Sequence, residues 1–250
     1  MTARSRSAAS RPSNLIGVIA IASCWPPEVA AGSGTTVSQN RLVEALRLVG
    51  VEARLIYTSC FATNRAELAA RQAANASFGE QAAGAETVLG IDGEGWLWAP
   101  QRPRVPFVAF CEAVLAEVVP FEQGETAELL RQQAAWEAAA AHAADAVVAR
   151  SEFAASRIVQ HYGIDRRRIT VLPIPFDIAA WQAALPELPR EPLVLAAGHL
   201  YARKNYRALL SAWPAVTRAC PEAELAMVGT GPEQLPAGQF VMVGNPGNTT

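Results

Sequence analysis

Arg203 and Lys204 are neighbouring cations standing just ahead of a helical pattern, since Tyr206, Leu209, Leu210 and Trp213 recur at the i, i+3, i+4 and i+7 spacing of one apolar face. Asn205 fits the N-cap of that helix. Cations at a helix amino end oppose its macrodipole, and a bound anion removes the conflict. A phosphate would take the helix amides, the planar fork of the arginine and the point charge of the lysine together. A solvated basic pair beside a strand is the alternative reading of the same residues. Acidic chemistry concentrates elsewhere, at Asp92 in Gly90-Ile91-Asp92-Gly93-Glu94-Gly95 and at Glu112. Glycines on both sides of Asp92 let backbone and ligand approach closely, although an ordinary turn aspartate fits the same pattern. Both acids fall at the carboxyl ends of expected strands, where a parallel sheet binds its ligands, and are candidates to bind hydroxyls or to serve as a base. A third candidate is the loop Gly32-Ser33-Gly34-Thr35, which opens a helix and so brings backbone amides toward a phosphate or sugar.

Other chemistries lack their residues. Cys24, Cys60, Cys111 and Cys220 are far apart and form no Cys-x-x-Cys pair, and His142, His161 and His199 are equally scattered, so neither a zinc site nor a disulfide framework is indicated. Reduced cytoplasmic thiols are the default. A dinucleotide fingerprint needs a third glycine or alanine and an acid closing the second strand. Here those places hold Val37 and Thr58-Ser59. There is no Gly-Lys-Ser/Thr phosphate loop, and no Gly-x-Ser-x-Gly elbow follows a strand. A net charge of -2 supplies no global drive toward nucleic acid or acidic membranes.

The elements that must position these residues follow from the apolar pattern. Strand-like runs at 15–22, 51–58, 87–91, 106–110, 146–149 and 169–172 alternate with helical stretches at 36–49, 65–76, 126–144 and 152–162. That alternation predicts a parallel sheet with helices on both faces. Gly50 and Gly163 fit the left-handed position that closes a helix, and Ser151 fits an N-cap directly after a strand. A second region reads as a buried strand at 193–197, the helix after Asn205, a strand at 224–228 and a short strand at 240–243. Gly198, Gly229 and Gly231 mark its turns. With 250 residues and 51% hydrophobic content the chain can bury one large core or two smaller ones. Residues 1–13 read as a disordered tail, 14–185 as a first Rossmann-like domain and 190–250 as part of a second. Ile21-Ala22-Ser23-Cys24 looks like a lipoprotein cleavage box, but the apolar run before it is too short to span a bilayer, and cleavage would remove the first strand.

Several segments together resemble family 4 GT-B glycosyltransferases. The opening of the second domain, Gly198-His199-Leu200-Tyr201-Ala202-Arg203-Lys204-Asn205, is similar to the family's glycine, leucine, Arg-Lys-Asn segment. Ala144-Asp145 with the following strand and Ser151 is similar to another of its segments. The run from His161-Tyr162-Gly163 through Val171-Leu172-Pro173 to Asp177, and Val228-Gly229-Thr230-Gly231-Pro232, are similar to two more. The resemblance implies an α/β, GT-B-like fold of two Rossmann-like parallel-sheet domains, the second incomplete, with the first domain for acceptor and the second for donor. It also implies a retaining hexosyltransferase that moves sugar from a nucleoside-diphosphate sugar. Arg203 and Lys204 would hold the diphosphate, and the loop from Gly32 to Gly34 would close over the phosphates. The acceptor stays open among a glycan, a lipid-linked molecule and a small molecule, and with it peripheral association with a membrane. The scheme needs no metal and no cofactor besides the donor substrate, and neither the sugar, the base nor the oligomeric state is legible.

Departures from the family pattern keep two other readings in play. Where family members often carry an acceptor-side histidine, this chain has Cys111-Glu112, so no catalytic residue carries over and Asp92 and Glu112 remain the candidates. Where some members carry an arginine after the first glycine, this chain has His199, to which no catalytic role is assigned. Ile174-Pro175-Phe176 replaces the usual asparagine-glycine before Asp177. A sugar-nucleotide-binding module without turnover and a GT-B-like sugar-nucleotide epimerase are the alternatives. The family's glutamate pair, which grips the donor's ribose and sugar, has no counterpart before Thr250. These residues are therefore expected to be an amino-terminal portion of a longer enzyme, binding donor weakly and transferring little sugar alone.

Overall fold

The computed structural model describes residues 17–28, 34–58, 60–102, 104–184, 191–229, 231 and 241–243. The tail at 1–13, Gly32 and the linker at 185–190 lie outside them. In chain order the elements are β1 (Ile19–Ser23), α1 (Gly34–Leu48), β2 (Ala53–Tyr57), α2 (Arg65–Ala76), α3 (Phe78–Gln81), β3 (Thr87–Ile91) and β4 (Phe107–Cys111). Next come α4 (Leu115–Val118), α5 (Gly124–Ala143), β5 (Ala146–Ala149), α6 (Glu152–Tyr162), β6 (Ile169–Val171) and α7 (Ile178–Ala184). The chain continues with β7 (Leu193–Ala197), α8 (Tyr206–Ala219), β8 (Glu224–Val228) and β9 (Val241–Val243). Two compact units result, one of Met1–Glu117 with Glu128–Phe176 and one of Val118–Ala127 with Asp177–Thr250.

The first unit is a six-stranded sheet in the order β2-β1-β3-β4-β5-β6, with every pair parallel. Parallel strands need covering on both faces, and the period of two in the sequence supplies it. Ala20, Ala22, Val88, Phe107, Ala109 and Val147 form one core with Phe78 of α3, Ala140 and Ala141 of α5, and Ile158 and Tyr162 of α6. The alternate positions Ile21, Ile91 and Phe110 form a second core with Leu42 and Val43 of α1. Each buried phenylalanine or isoleucine stabilises the unit by roughly 1.5–3 kcal/mol. The fully buried Ala140 and Ala141 show what the alanine-rich stretch is for, namely close approach of α5 to the sheet.

Helix ends follow local chemistry. Asn64 caps α2 by accepting from the Glu67 amide at 2.9 Å, and the Glu67 carboxylate returns to the Thr63 amide at 2.7 Å. Ser151 caps α6 through the Ala154 amide at 3.1 Å, as its place after β5 predicts. Among the described residues no helix is long and apolar enough to cross a membrane.

The second unit holds a parallel sheet ordered β7-β8-β9. Its core is Tyr206, Leu210 and Trp213 of α8 with Leu200, Leu225 and Met227, the helical face that the spacing predicts. The expected burial of β7 is corrected. Leu193, Val194 and Leu195 are 48%, 41% and 61% exposed, because β7 is an edge strand of the described sheet and only Ala196 packs on the α8 core.

Candidate functional site

In the first unit the strand order reverses between β1 and β3, which makes the carboxyl ends of these strands the switch point where an open parallel sheet binds ligands. The chain places a buried polar network there. After β3 the backbone turns back sharply, with positive φ at Asp92 (51°), Gly93 (93°) and Gly95 (84°). A Cβ at Gly90 would lie 2.0 Å from the Glu94 carbonyl oxygen, and one at Gly93 would lie 2.9 Å from the Glu137 amide nitrogen. The glycines flanking Asp92 thus serve first to let the turn lie against its own strand and against α5.

Asp92 is 2% exposed, and its two oxygens accept from the Trp25 indole N–H at 2.9 Å and the Glu112 amide at 3.0 Å. Burial pushes its pKa up to about 6, against the pull of the Trp25 hydrogen bond, with the Glu112 charge adding to the rise. Glu94 is fully buried. It accepts from Arg71 Nε at 2.6 Å, from Asn75 Nδ2 at 2.8 Å and from the Thr58 hydroxyl. Arg71, also fully buried, donates further to Gln133 Oε1 at 2.6 Å and to the Asp92 carbonyl at 2.7 Å. Its guanidinium lies 5.6 Å from the Phe61 ring centroid, and Phe61 stacks on Trp25 at 4.8 Å.

Glu112 belongs to a neighbouring group. Its carboxylate accepts from Ser38 Oγ at 2.7 Å and from Arg150, whose Nε lies at 2.9 Å and whose plane sits 4.3 Å over the Phe110 ring. Asp92 and Glu112, the expected acceptor-side acids, both stand at carboxyl ends of the sheet and are both engaged in hydrogen bonds within the chain. Beneath them Glu137 Oε2 accepts from the Leu115 amide at 2.9 Å and from the Tyr162 hydroxyl, and Oε1 has no partner among the described residues. Burial first, then the Asp92 charge, raises Glu137 to about 8. The Cys111 thiol is buried and pushed well up by that burial, so it stays a neutral thiol.

In the second unit Arg203 and Lys204 lie in a 3-10 turn, Ala202–Lys204, directly before α8, and both are exposed. The Arg203 guanidinium sits 4.9 Å from the Tyr201 ring centroid. Asn205 takes the N-cap position with φ 55° and ψ 39° and makes no side-chain cap bond, so its expected capping by side chain is corrected to a left-handed backbone turn. Gly198 and Gly229 close β7 and β8 in contact with each other, since a Cβ on Gly229 would lie 1.8 Å from the Gly198 oxygen. Gly231 packs on Leu200, where a Cβ would lie 2.5 Å from its carbonyl oxygen. Gly34 begins α1 with open space around it.

Arg71, Asn75, Gln133 and Arg150 were not legible as site residues, because each stands in a helix or at a strand end whose polar residues read as a solvated face. The signal for the first two is α2 itself, in which alanines leave no apolar stripe and the residues buried are Arg71 and Asn75.

Two parallel-sheet units on this pattern define a GT-B-like α/β fold. Residues 90–180 match Glycosyltransferase Family 4, so the resemblance seen in the motifs holds over the stretch that carries Asp92, Glu112, Glu137 and Arg150. A search of curated proteins by sequence finds no match. Among solved structures, the catalytic domain of starch synthase IV from Arabidopsis thaliana bound to ADP and acarbose is similar with a TM-score of 0.56 at 12% identity, over 88% of this chain and 69% of that one. The UDP-N-acetylglucosamine 2-epimerase from Rickettsia bellii has a TM-score of 0.47 at 13% identity over 86% of this chain. The chain spans 62% of the length of that epimerase. The glycosyltransferase SnogD from Streptomyces nogalater has a TM-score of 0.41 at 12% identity, over 92% of this chain and 72% of that one.

Proposed function

We propose that the protein is a glycosyltransferase that moves a hexosyl group from a nucleoside-diphosphate sugar to an acceptor with retention at the anomeric carbon. The observation that carries the reading is the match of residues 90–180 to Glycosyltransferase Family 4. Arg203 and Lys204 neutralise the departing diphosphate, which develops charge as the glycosidic bond breaks, and the amide end of α8 adds its dipole. The two cations supply the neutralisation a metal would otherwise provide. The acceptor is a glycan, a lipid-linked molecule or a small molecule met at the switch point of the first unit, in the cytoplasm. The test, on the full-length protein, is a mass-spectrometric screen of UDP, GDP and ADP sugars with mixed acceptors, run with and without EDTA. Cleavage of one donor class with the sugar recovered on an acceptor, equally in both conditions, is the expected result. No cleavage of any donor overturns the reading.

A second reading, a sugar-nucleotide-binding module, is favoured by one observation. Asp92 and Glu112 direct their oxygens at groups of the chain itself, namely Trp25, Ser38, Arg150 and the Glu112 amide, as carboxylates that hold a binding surface in place do. Calorimetric binding of a nucleoside diphosphate sugar without any turnover would establish it.

A further inference from the structure

A guanidinium and a carboxylate that are both fully withdrawn from water are poor investments in stability, because desolvation offsets their attraction, and their best-attested use is to fix one arrangement among several. Arg71 and Glu94 are such a pair, each with a side chain 0% exposed. What they fix is unusual in extent. Glu94 takes the hydroxyl of Thr58, in the loop after β2, and the amide of Asn75. Asn75 in turn accepts from the Gly95 amide at 2.7 Å. Arg71 holds the carbonyl of Asp92, after β3. The Asp92 carboxylate reaches Trp25, after β1, and the amide of Glu112, after β4. Four consecutive carboxyl-end loops of one sheet thus meet at the turn 92–95, which a single buried cation holds by its Glu94 carboxylate and its Asp92 carbonyl, and that turn carries left-handed backbone at a non-glycine residue, Asp92. Strained backbone of this kind persists where its surroundings over-determine it, and such places cluster at binding and catalytic sites.

We propose that Arg71 is the positioning residue of the acceptor end of the first unit, setting the mutual placement of Trp25, Thr58, the turn at 92–95 and Glu112 without itself touching substrate. The proposal rests on the transferase reading for the word acceptor, but its structural content does not. Lysine at this place keeps the charge yet cannot span Glu94, Gln133 and the Asp92 carbonyl, which lie on three sides of the guanidinium fork.

The test compares Arg71→Lys and Arg71→Gln with the intact protein. The indole N–H of Trp25, assigned by Trp25→Phe, is followed by two-dimensional NMR. Titrations with UDP, GDP and ADP probe the second unit. Transfer kinetics use the donor and acceptor found by the screen. In a variant that retains its fold by circular dichroism, the Trp25 indole resonance shifts or broadens and the acceptor KM rises about tenfold or more, as expected for loops displaced by a fraction of an ångström. Nucleoside-diphosphate affinity stays within about twofold, since Arg203 and Lys204 lie in the other unit. An unmoved indole resonance and an unchanged acceptor KM in a folded variant overturn the proposal, and loss of folding in both variants overturns it in favour of a purely structural role. Absence of donor cleavage by the intact protein would sink the transferase reading alone, with the indole resonance still deciding the role of Arg71.

Discussion

Glu137 uses its two oxygens unequally. One accepts from the Leu115 amide and the Tyr162 hydroxyl, which favours the carboxylate, whereas the other has no hydrogen-bond partner among the described residues and burial favours the neutral acid. Burial and the Asp92 charge raise its pKa to about 8, from the ordinary carboxylate value of 4.5. Between those values the folded chain binds more protons than the unfolded one, so stability falls as pH rises. The contribution is complete below about 4.5 and lost once pH passes about 8. Asp92, raised to about 6, acts with the same sign over a lower window. Glu137→Gln keeps the shape and the accepting oxygen but removes the titration. Thermal melting between pH 5 and 8.5 is expected to show the intact protein losing several degrees relative to this variant, a difference on the order of a few kcal/mol. Parallel melting curves across that range would contradict a neutral Glu137.

At the scale of elements, the carboxyl-end turns determine what the sheet can present. Gly229 and Gly163 both have positive φ, at 148° and 67°, yet only Gly229 is pressed against another backbone segment, while Gly163 faces open space. Gly163→Ala is expected to cost about 1–2 kcal/mol from left-handed strain alone. Gly229→Ala must also push apart the loops after β7 and β8, and is expected to cost about 2–4 kcal/mol. Urea denaturation of the two variants checks the ranking, and equal midpoints would refute it. These glycines were legible as turns, but their close packing was not, because contact between two loops distant in sequence leaves no local trace. The same limit hid Arg71. On α2 an arginine and an asparagine four apart look solvated, and only the arrival of Glu94 from β3 makes that face the buried one. Segments marked by local propensity, by a period or by a short apolar run were readable: α2, α6, β3, β5, β7 and β8 stand at the residues expected of them. The four-residue helices α3 and α4 are too short to show a period and were missed.

At the scale of the molecule, two parallel sheets with different loads emerge. The first unit invests its buried polar groups at one switch point, while the second presents an exposed basic pair at the head of an amphipathic helix. The fold class was readable because strand and helix patterns alternate along most of the chain, and the place of the basic pair because it adjoins a helix start. The role of the acids was not, since hydrogen-bond satisfaction depends on side chains from four loops. The central claim is that Arg203 and Lys204 hold the diphosphate of a sugar nucleotide during transfer. Its most direct test is calorimetric titration of UDP, GDP and ADP, together with sugar transfer from the matching donors, in the intact protein, Arg203→Ala and Lys204→Ala. Each removed cation forfeits charge-assisted hydrogen bonds of about 1.5–3 kcal/mol. The account predicts that each variant loses about tenfold or more in nucleoside-diphosphate affinity and in turnover. Unchanged affinity and turnover in both variants would contradict it.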